Sequence, residues 1–251
     1  MFGRRTTWSK GPACKRIGSG LARRRREEHF VGVSNPTITL VATTFSRIGE
    51  HLKRLSESAA CFPFPVRQLL ISGSKPEALP DEVDWLHDEV FESRDYWRYN
   101  RFVYEKLADL ITTDFAVTIH ADGFAQHPEH WTDEFLKYDY VGAPFPVGLT
   151  GGVGRVGSGG FCLRSRKLLQ TCQRIPLVGD VTEDWHIGHN HFRDFKRAGC
   201  RFASVPLALR WSIDLALEDY PGWSAKQSFG FHDNHGSLAT IGSNEPFKTF
   251  V

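Results

Sequence analysis

His120-Ala121-Asp122-Gly123 sets an imidazole and a carboxylate two residues apart, with a glycine behind them that lets the chain turn. Divalent cations favour oxygen donors and manganese accepts an imidazole among them, so the segment is a candidate cation site; its plainer reading is an Asp-Gly turn closing a strand. Near the end of the chain, Ser228-Phe229-Gly230-Phe231-His232-Asp233-Asn234-His235 offers histidines in a turn, and paired with Asp122, His232 becomes a late metal ligand. Thr182-Glu183-Asp184 serves equally as a helix start, with acids favoured by the helix dipole, or as a carboxylate facing a cleft as general base. His186, His189 and His191 with Asp184 spell DxHxxHxH and invite a zinc site. On a regular helix, at roughly 100° per residue, position 191 stands about 140° from 186, so the three rings share no face.

Six glycines fall within residues 151–160, and Gly152-Val153-Gly154-Arg155-Val156-Gly157 matches GxGxxG. A dinucleotide fingerprint needs strand, glycines and helix in that order, whereas here a proline-containing loop precedes and a strand follows. No GK[ST] is present either, which excludes a P-loop. The glycines read as a surface loop, or as bare backbone at Gly159 and Gly160 against which a substrate lies.

These residues need a scaffold, and the pattern supplies one. Strand-like runs at 38–44, 66–72 and 115–120 alternate with helical periodicity at 46–58 and 96–111, which predicts an α/β fold with a mainly parallel sheet flanked by helices. Ligands of such sheets sit beyond the carboxyl ends of the strands, where His120 and Asp122 fall. The second half is less regular: a glycine-rich loop at 148–160, a strand at 161–163, a helix at 165–174, a helix from Thr182 toward Ala198 and a strand at 202–207.

The chain has 251 residues, enough for one large core. Residues 1–30 carry nine Lys/Arg against Glu27 and Glu28, leaving 22 basic and 27 acidic residues in the rest. Residues 1–33 therefore read as a disordered basic arm, and 34–251 as a single domain. A mildly acidic body argues against a nucleic-acid-binding core, while the arm suits peripheral contact with an anionic membrane. Five scattered cysteines without CxxC fit a reducing compartment, and no apolar run reaches bilayer length, so the expected location is cytoplasmic or membrane-peripheral.

Taken in order, WRYNRF at 97–102, VTIHADGF at 117–124, YDYVGAP at 138–144, VGSGGFCLRSRK at 156–167, Glu183-Asp184 and FGFHDN at 229–234 resemble the DUF5672 proteins, a family related to glycosyltransferases of the GT-A fold. The order is similar, more distantly, to that of the β-1,4-galactosyltransferases. That resemblance implies a Rossmann-like GT-A domain in which Tyr99, Asn100 and Arg101 touch the nucleotide. It likewise makes Asp122, with His120 in the place of the first acid of DxD, and His232 the holders of Mn²⁺ or Mg²⁺. Gly159 and Gly160 would shape the sugar site, with Asp184 as the base and Glu183 beside it.

The resemblance further implies a nucleotide-diphosphate sugar donor, a carbohydrate or lipid-linked acceptor, and inverting transfer. Arg101, Arg164 or Arg166 would add charge near the phosphates, the last two reading otherwise as solvated surface arginines. His120 departs from the usual glutamine, and Trp211-Ser212-Ile213-Asp214 stands where the family has Phe-Ser-x-Glu. The rival readings are a non-catalytic carbohydrate- or nucleotide-binding module of the same fold and a metal-dependent hydrolase using the histidines at 186–191.

Overall fold

A computed structural model describes residues 36–152, 154–214 and 219–232; the expected arm at 1–33 and the Asp233 to His235 end of the late turn lie outside them. The first strand, β1 (Ile38–Thr44), is buried along all seven residues, as a central parallel strand covered on both faces requires. A left-handed Arg47 (φ 55°) separates it from α1 (Ile48–Ala59), which buries Leu52 and Leu55. After β2 (Arg67–Ser72) and β3 (Val83–His87), α2 (Tyr96–Glu105) starts at Asp95, whose carboxylate accepts from the N–H groups of Trp97 and Arg98 at 2.9 and 3.0 Å. The helix predicted over 96–111 is in fact two, the second being α3 (Leu107–Leu110).

The chain continues through β4 (Phe115–Ile119), β5 (Gly123–Ala125), β6 (Tyr140–Pro144), β7 (Val156–Ser165) and α4 (Arg166–Cys172). Then follow α5 (Glu183–Trp185), a π-helical turn at His186–Asn190, α6 (Phe192–Arg197), α7 (Val205–Trp211), β8 (Ser212–Ile213) and β9 (Gly230–His232).

The main sheet runs β3-β2-β1-β4-β7-β6. Pairings among β3, β2, β1 and β4 are parallel, and only β7 is reversed, so that β6 again points with β4. This is the expected mainly parallel α/β sheet. Alternate residues of β1 feed two cores: Ile38, Leu40 and Ala42 pack with Leu55 and Leu207, while Val41 joins Phe102, Leu107 and Leu169. Helices therefore cover both faces. A second, three-stranded sheet of order β5-β9-β8 stands at the carboxyl end of β4.

Three further predicted elements differ. The glycine-rich loop ends at Arg155, and β7 takes in Gly157, Gly159 and Gly160. Between Val141↔Leu163 and Ala143↔Ser158, β6 advances two residues while β7 moves five, so β7 bulges over 159–162. Thr118 fastens the bulge, donating Oγ1 to the Gly159 carbonyl at 2.8 Å and accepting from the Cys162 N–H at 3.1 Å. The strand predicted at 202–207 is mostly the start of α7, whose first turn holds Pro206, where a missing N–H costs nothing. The helix from Thr182 toward Ala198 is broken by the π turn. Among the described residues no helix is long and apolar enough to cross a membrane.

Candidate functional site

The carboxyl end of β4 runs directly into the turn that carries His120 and Asp122. His120 and Gly123 exchange backbone hydrogen bonds of 2.7 and 3.3 Å, which puts Asp122 at the tip. From there β5 pairs with β9 in the register Gly123↔His232, bringing in the late histidine. One ligand atom from each of His120, Asp122 and His232 lies within 4.8 Å of the others. This is the expected trio.

The surroundings orient it. His232 Nε2 lies 3.8 Å from Asp122 Oδ1, while its Nδ1 bonds Asp214 Oδ2 at 3.0 Å. Tyr99 Oη is 3.1 Å from His120 Nε2 and accepts from Thr43 Oγ1 at 3.2 Å. Tyr99 thus meets His120 from behind. A methyl group on Gly160 would stand 2.0 Å from His232 Nε2, and one on Gly123 would stand 2.8 Å from its Cδ2, so the ring occupies space that only glycine leaves. Burial pushes the His120 imidazole well below its usual pKa. Burial opposes protonation of His232 too, but the Asp214 carboxylate, and then Asp122, raise it to about 9.

Glu183 and Asp184 are adjacent in sequence and unlike in surroundings. Glu183 is buried, and its Oε1 sits 2.6 Å from Nη2 of the fully buried Arg164. The Glu183 N–H donates to Asn100 Oδ1 at 3.2 Å, so Asn100, not Thr182, satisfies the start of α5. Asn100 in turn donates Nδ2 to the Tyr96 carbonyl at 2.8 Å. Among the described residues Asp184 has no cationic partner at such a distance. Its Oδ2 accepts from the Gly159 N–H at 2.9 Å and its Oδ1 from the Trp185 N–H at 2.6 Å. Burial, then the charge of Glu183, push the Asp184 carboxyl up to about 6. A methyl group on Gly159 would fall 2.7 Å from Glu183 Oε1. Consecutive residues of the β7 bulge thus hold the two halves of the site: Gly159 against the acids and Gly160 against His232.

The structure brings Tyr99, Asn100, His120, Asp122, Gly159, Gly160, Glu183, Asp184 and His232 into this region, with Asn100 buried behind the acids. Arg101 is elsewhere, exposed and 2.8 Å from Glu105. The expectation of solvated Arg164 and Arg166 is corrected. Arg164 is buried because it neutralises Glu183, and Arg166 donates to the Ile111 carbonyl at 2.8 Å.

No zinc arrangement forms at 186–191 among the described residues. The π turn closes His191 N–H onto the His186 carbonyl at 2.8 Å, five residues back, and so stacks rings 186 and 191 with centroids 4.2 Å apart, against the 140° separation of a regular helix. Asp214, nearly buried and bonded to both His232 and Ser158, belongs to the site without having been singled out. Its signal in the sequence is its place at the end of Trp211-Ser212-Ile213-Asp214.

Residues 82–232 match the family model described as Protein of unknown function (DUF5672). No curated protein matches the chain. Among solved structures, it is similar to the galactosyltransferase LgtC in complex with donor and acceptor sugar analogs, at 11% identity and TM-score 0.46, over 78% of this chain and 86% of that one. An active-site mutant of LgtC matches over the same shares at 11% identity, with TM-score 0.44.

Proposed function

The chain belongs to the DUF5672 family, and from that premise we propose that it is a glycosyltransferase, moving a sugar from a nucleotide-diphosphate sugar to a hydroxyl acceptor with inversion, in a GT-A-like domain spanning residues 34–251. The observation that carries this reading is the contact of adjacent glycines of one strand with a base-like carboxylate and a cation-like cluster.

Two imidazoles and one carboxylate suit Mn²⁺ better than Mg²⁺, which favours oxygen donors and rigid octahedral geometry. His120, Asp122 and His232 would hold that ion, with Tyr99 and Asp214 fixing the two rings from behind. When bound, the cation supplies positive charge against the departing diphosphate.

The remaining chemistry belongs to the chain. The Asp184 carboxylate accepts the Gly159 and Trp185 N–H groups and the Thr182 hydroxyl, three bonds for two oxygens, which leaves a lone pair for the proton of the acceptor hydroxyl. A carboxyl lifted to about 6 is a stronger base than an ordinary aspartate and is still ionised at neutral pH. Glu183, tied to Arg164, is a positioning residue: it raises its neighbour and anchors the start of α5. Gly159 and Gly160, expected as bare backbone for a substrate, instead let the two acids and His232 close onto the strand.

Asp184→Asn keeps an acceptor for the Gly159 N–H and removes the base. We expect turnover to fall about 10²- to 10⁴-fold with donor binding unchanged, measured by product formation and by calorimetry. Unchanged turnover, or lost donor binding, would contradict the assignment. In the wild type kcat/KM should rise with pH to a plateau above an apparent pKa of about 6, because only the ionised carboxylate accepts the proton. Titration with UDP, GDP, CDP and ADP in Mn²⁺ or EDTA identifies the donor base. Binding without turnover across donors would instead indicate a non-catalytic module.

A further inference from the structure

A cavity of about 770 Å³ opens beside the π turn, lined by none of the residues of the His120 cluster, and nothing in the transfer chemistry uses it. Arg155, Arg193 and Arg197 line it together with His186, His189 and His191, against the single carboxylate of Asp194. That carboxylate is already engaged, by Arg197 Nη1 at 2.9 Å and His191 Nδ1 at 2.9 Å.

Arg155 is the telling residue. Its Nε and Nη1 are buried without a hydrogen-bond partner, and its guanidinium lies 4.6 Å from the centre of the Phe192 ring. Buried guanidinium nitrogens with no acceptor are costly. Beside them, His189 Nδ1 is also buried and forms no hydrogen bond, while His186, a residue only 1% exposed, has its imidazole against the Pro176 backbone. His189 is stacked on Trp185 at 4.1 Å, which fixes its plane. Nitrogens of Arg155 and His189 thus border one cavity with no hydrogen-bond partner among the described residues, and Arg193 and Arg197 add charge at its wall.

We propose that this cavity is a binding site for the phosphate group of an anionic ligand, separate from the cation cluster. A tetrahedral phosphate presents three oxygens in different directions. That matches donors arriving from the start of β7 (Arg155), the π turn (His189) and α6 (Arg193, Arg197) better than the flat pair of oxygens on a carboxylate. The cavity exceeds a free phosphate in size, and so accommodates a phosphate ester. The assignment stands on these residues alone and does not require the transferase reading. Four residues of chain separate Arg155 from Gly159, so the cavity begins at most about 14 Å from the residue that holds Asp184.

Calorimetric titration of the full chain in EDTA tests it, with inorganic phosphate, glucose 6-phosphate, glucose and acetate at constant ionic strength. Phosphate and its ester should bind and glucose should not; tighter binding of the ester assigns the phosphate to a larger molecule, and equal binding assigns it to the free ion. Arg155→Met should weaken phosphate about tenfold or more, while the remote surface change Lys53→Gln leaves it unaltered. No binding by the wild type, equal binding by Arg155→Met, or acetate as tight as phosphate would overturn the proposal. Should Arg155→Met not fold, the wild-type ring resonances decide: phosphate must shift those of His186 and His189, and if both stay unmoved the site is refuted.

Discussion

Two groups of histidines sit on this fold, and their neighbours have opposite signs. At the end of β4, the rings of His120 and His232 stand 5.6 Å apart with Asp122 and Asp214 against them. At the π turn, His186 and His191 stack at 4.2 Å within reach of Arg155, Arg193 and Arg197. Imidazole donates or accepts according to its protonation, so it is neutral as to which ion it serves. The carboxylates suit the first group to the cation proposed for it, and the guanidinium groups suit the second to an anion. The backbone differs as well. Short strands converge in the first group, so His232 meets His120 and Asp122 from a distant part of the chain. In the second, one widened helical turn brings rings together that a regular helix would hold apart.

The strongest way to break this contrast is Asp122→Ala. Manganese binding should vanish while phosphate binding in EDTA persists; loss of both would show one connected site. Gly160→Ala tests the same cluster by shape alone, since the added methyl group overlaps His232 Nε2. Manganese affinity measured by calorimetry should drop about a hundredfold, the upper end of what a misplaced ligand costs. Asp214→Asn keeps the shape and weakens the hold on His232, and about tenfold should be lost.

The smallest effect belongs to the second group. Burial, and then neighbouring His191, lower His186 to about 4 from an ordinary 6.5, so as pH falls through that window the unfolded chain takes up a proton that the folded chain refuses. Stability should be unaffected above pH 6.5 and decline toward pH 4. His186→Phe should flatten that slope in denaturant titrations, and an unchanged slope would place the neutral ring elsewhere.

The parallel half of the sheet is readable in the sequence because β1, β2 and β4 are dense in apolar and β-branched residues and α1 and α2 keep helical spacing. The edge formed by β6 and β7 is not. Glycine carries little strand signal, and here Gly157, Gly159 and Gly160 stay in a strand because neighbouring side chains need the space. The cation trio is legible through its residue types and its resemblance to known segments. Arg164 is not, since its burial depends on Glu183, nineteen residues away and beyond any local pattern. The unlike surroundings of Glu183 and Asp184 are likewise invisible until Asn100 arrives from α2 and Gly159 and Arg164 from β7. Phe202 to Leu207 reads as a strand by composition, yet Pro206 begins a helix there.

The reversed strand β7 has a consequence for how such a domain tolerates change in length. Its start leads from Arg155, Gly159 meets Asp184, Gly160 makes way for His232, and Arg164 neutralises Glu183, all within ten residues. Inserting or deleting one residue here would exchange the two faces of the strand, and every one of these contacts would be lost together. The turn at 146–152 lies outside this run, tied instead by the Val147 N–H to Asp219 Oδ2 at 2.8 Å. The spacing inside β7 thus behaves as a fixed ruler.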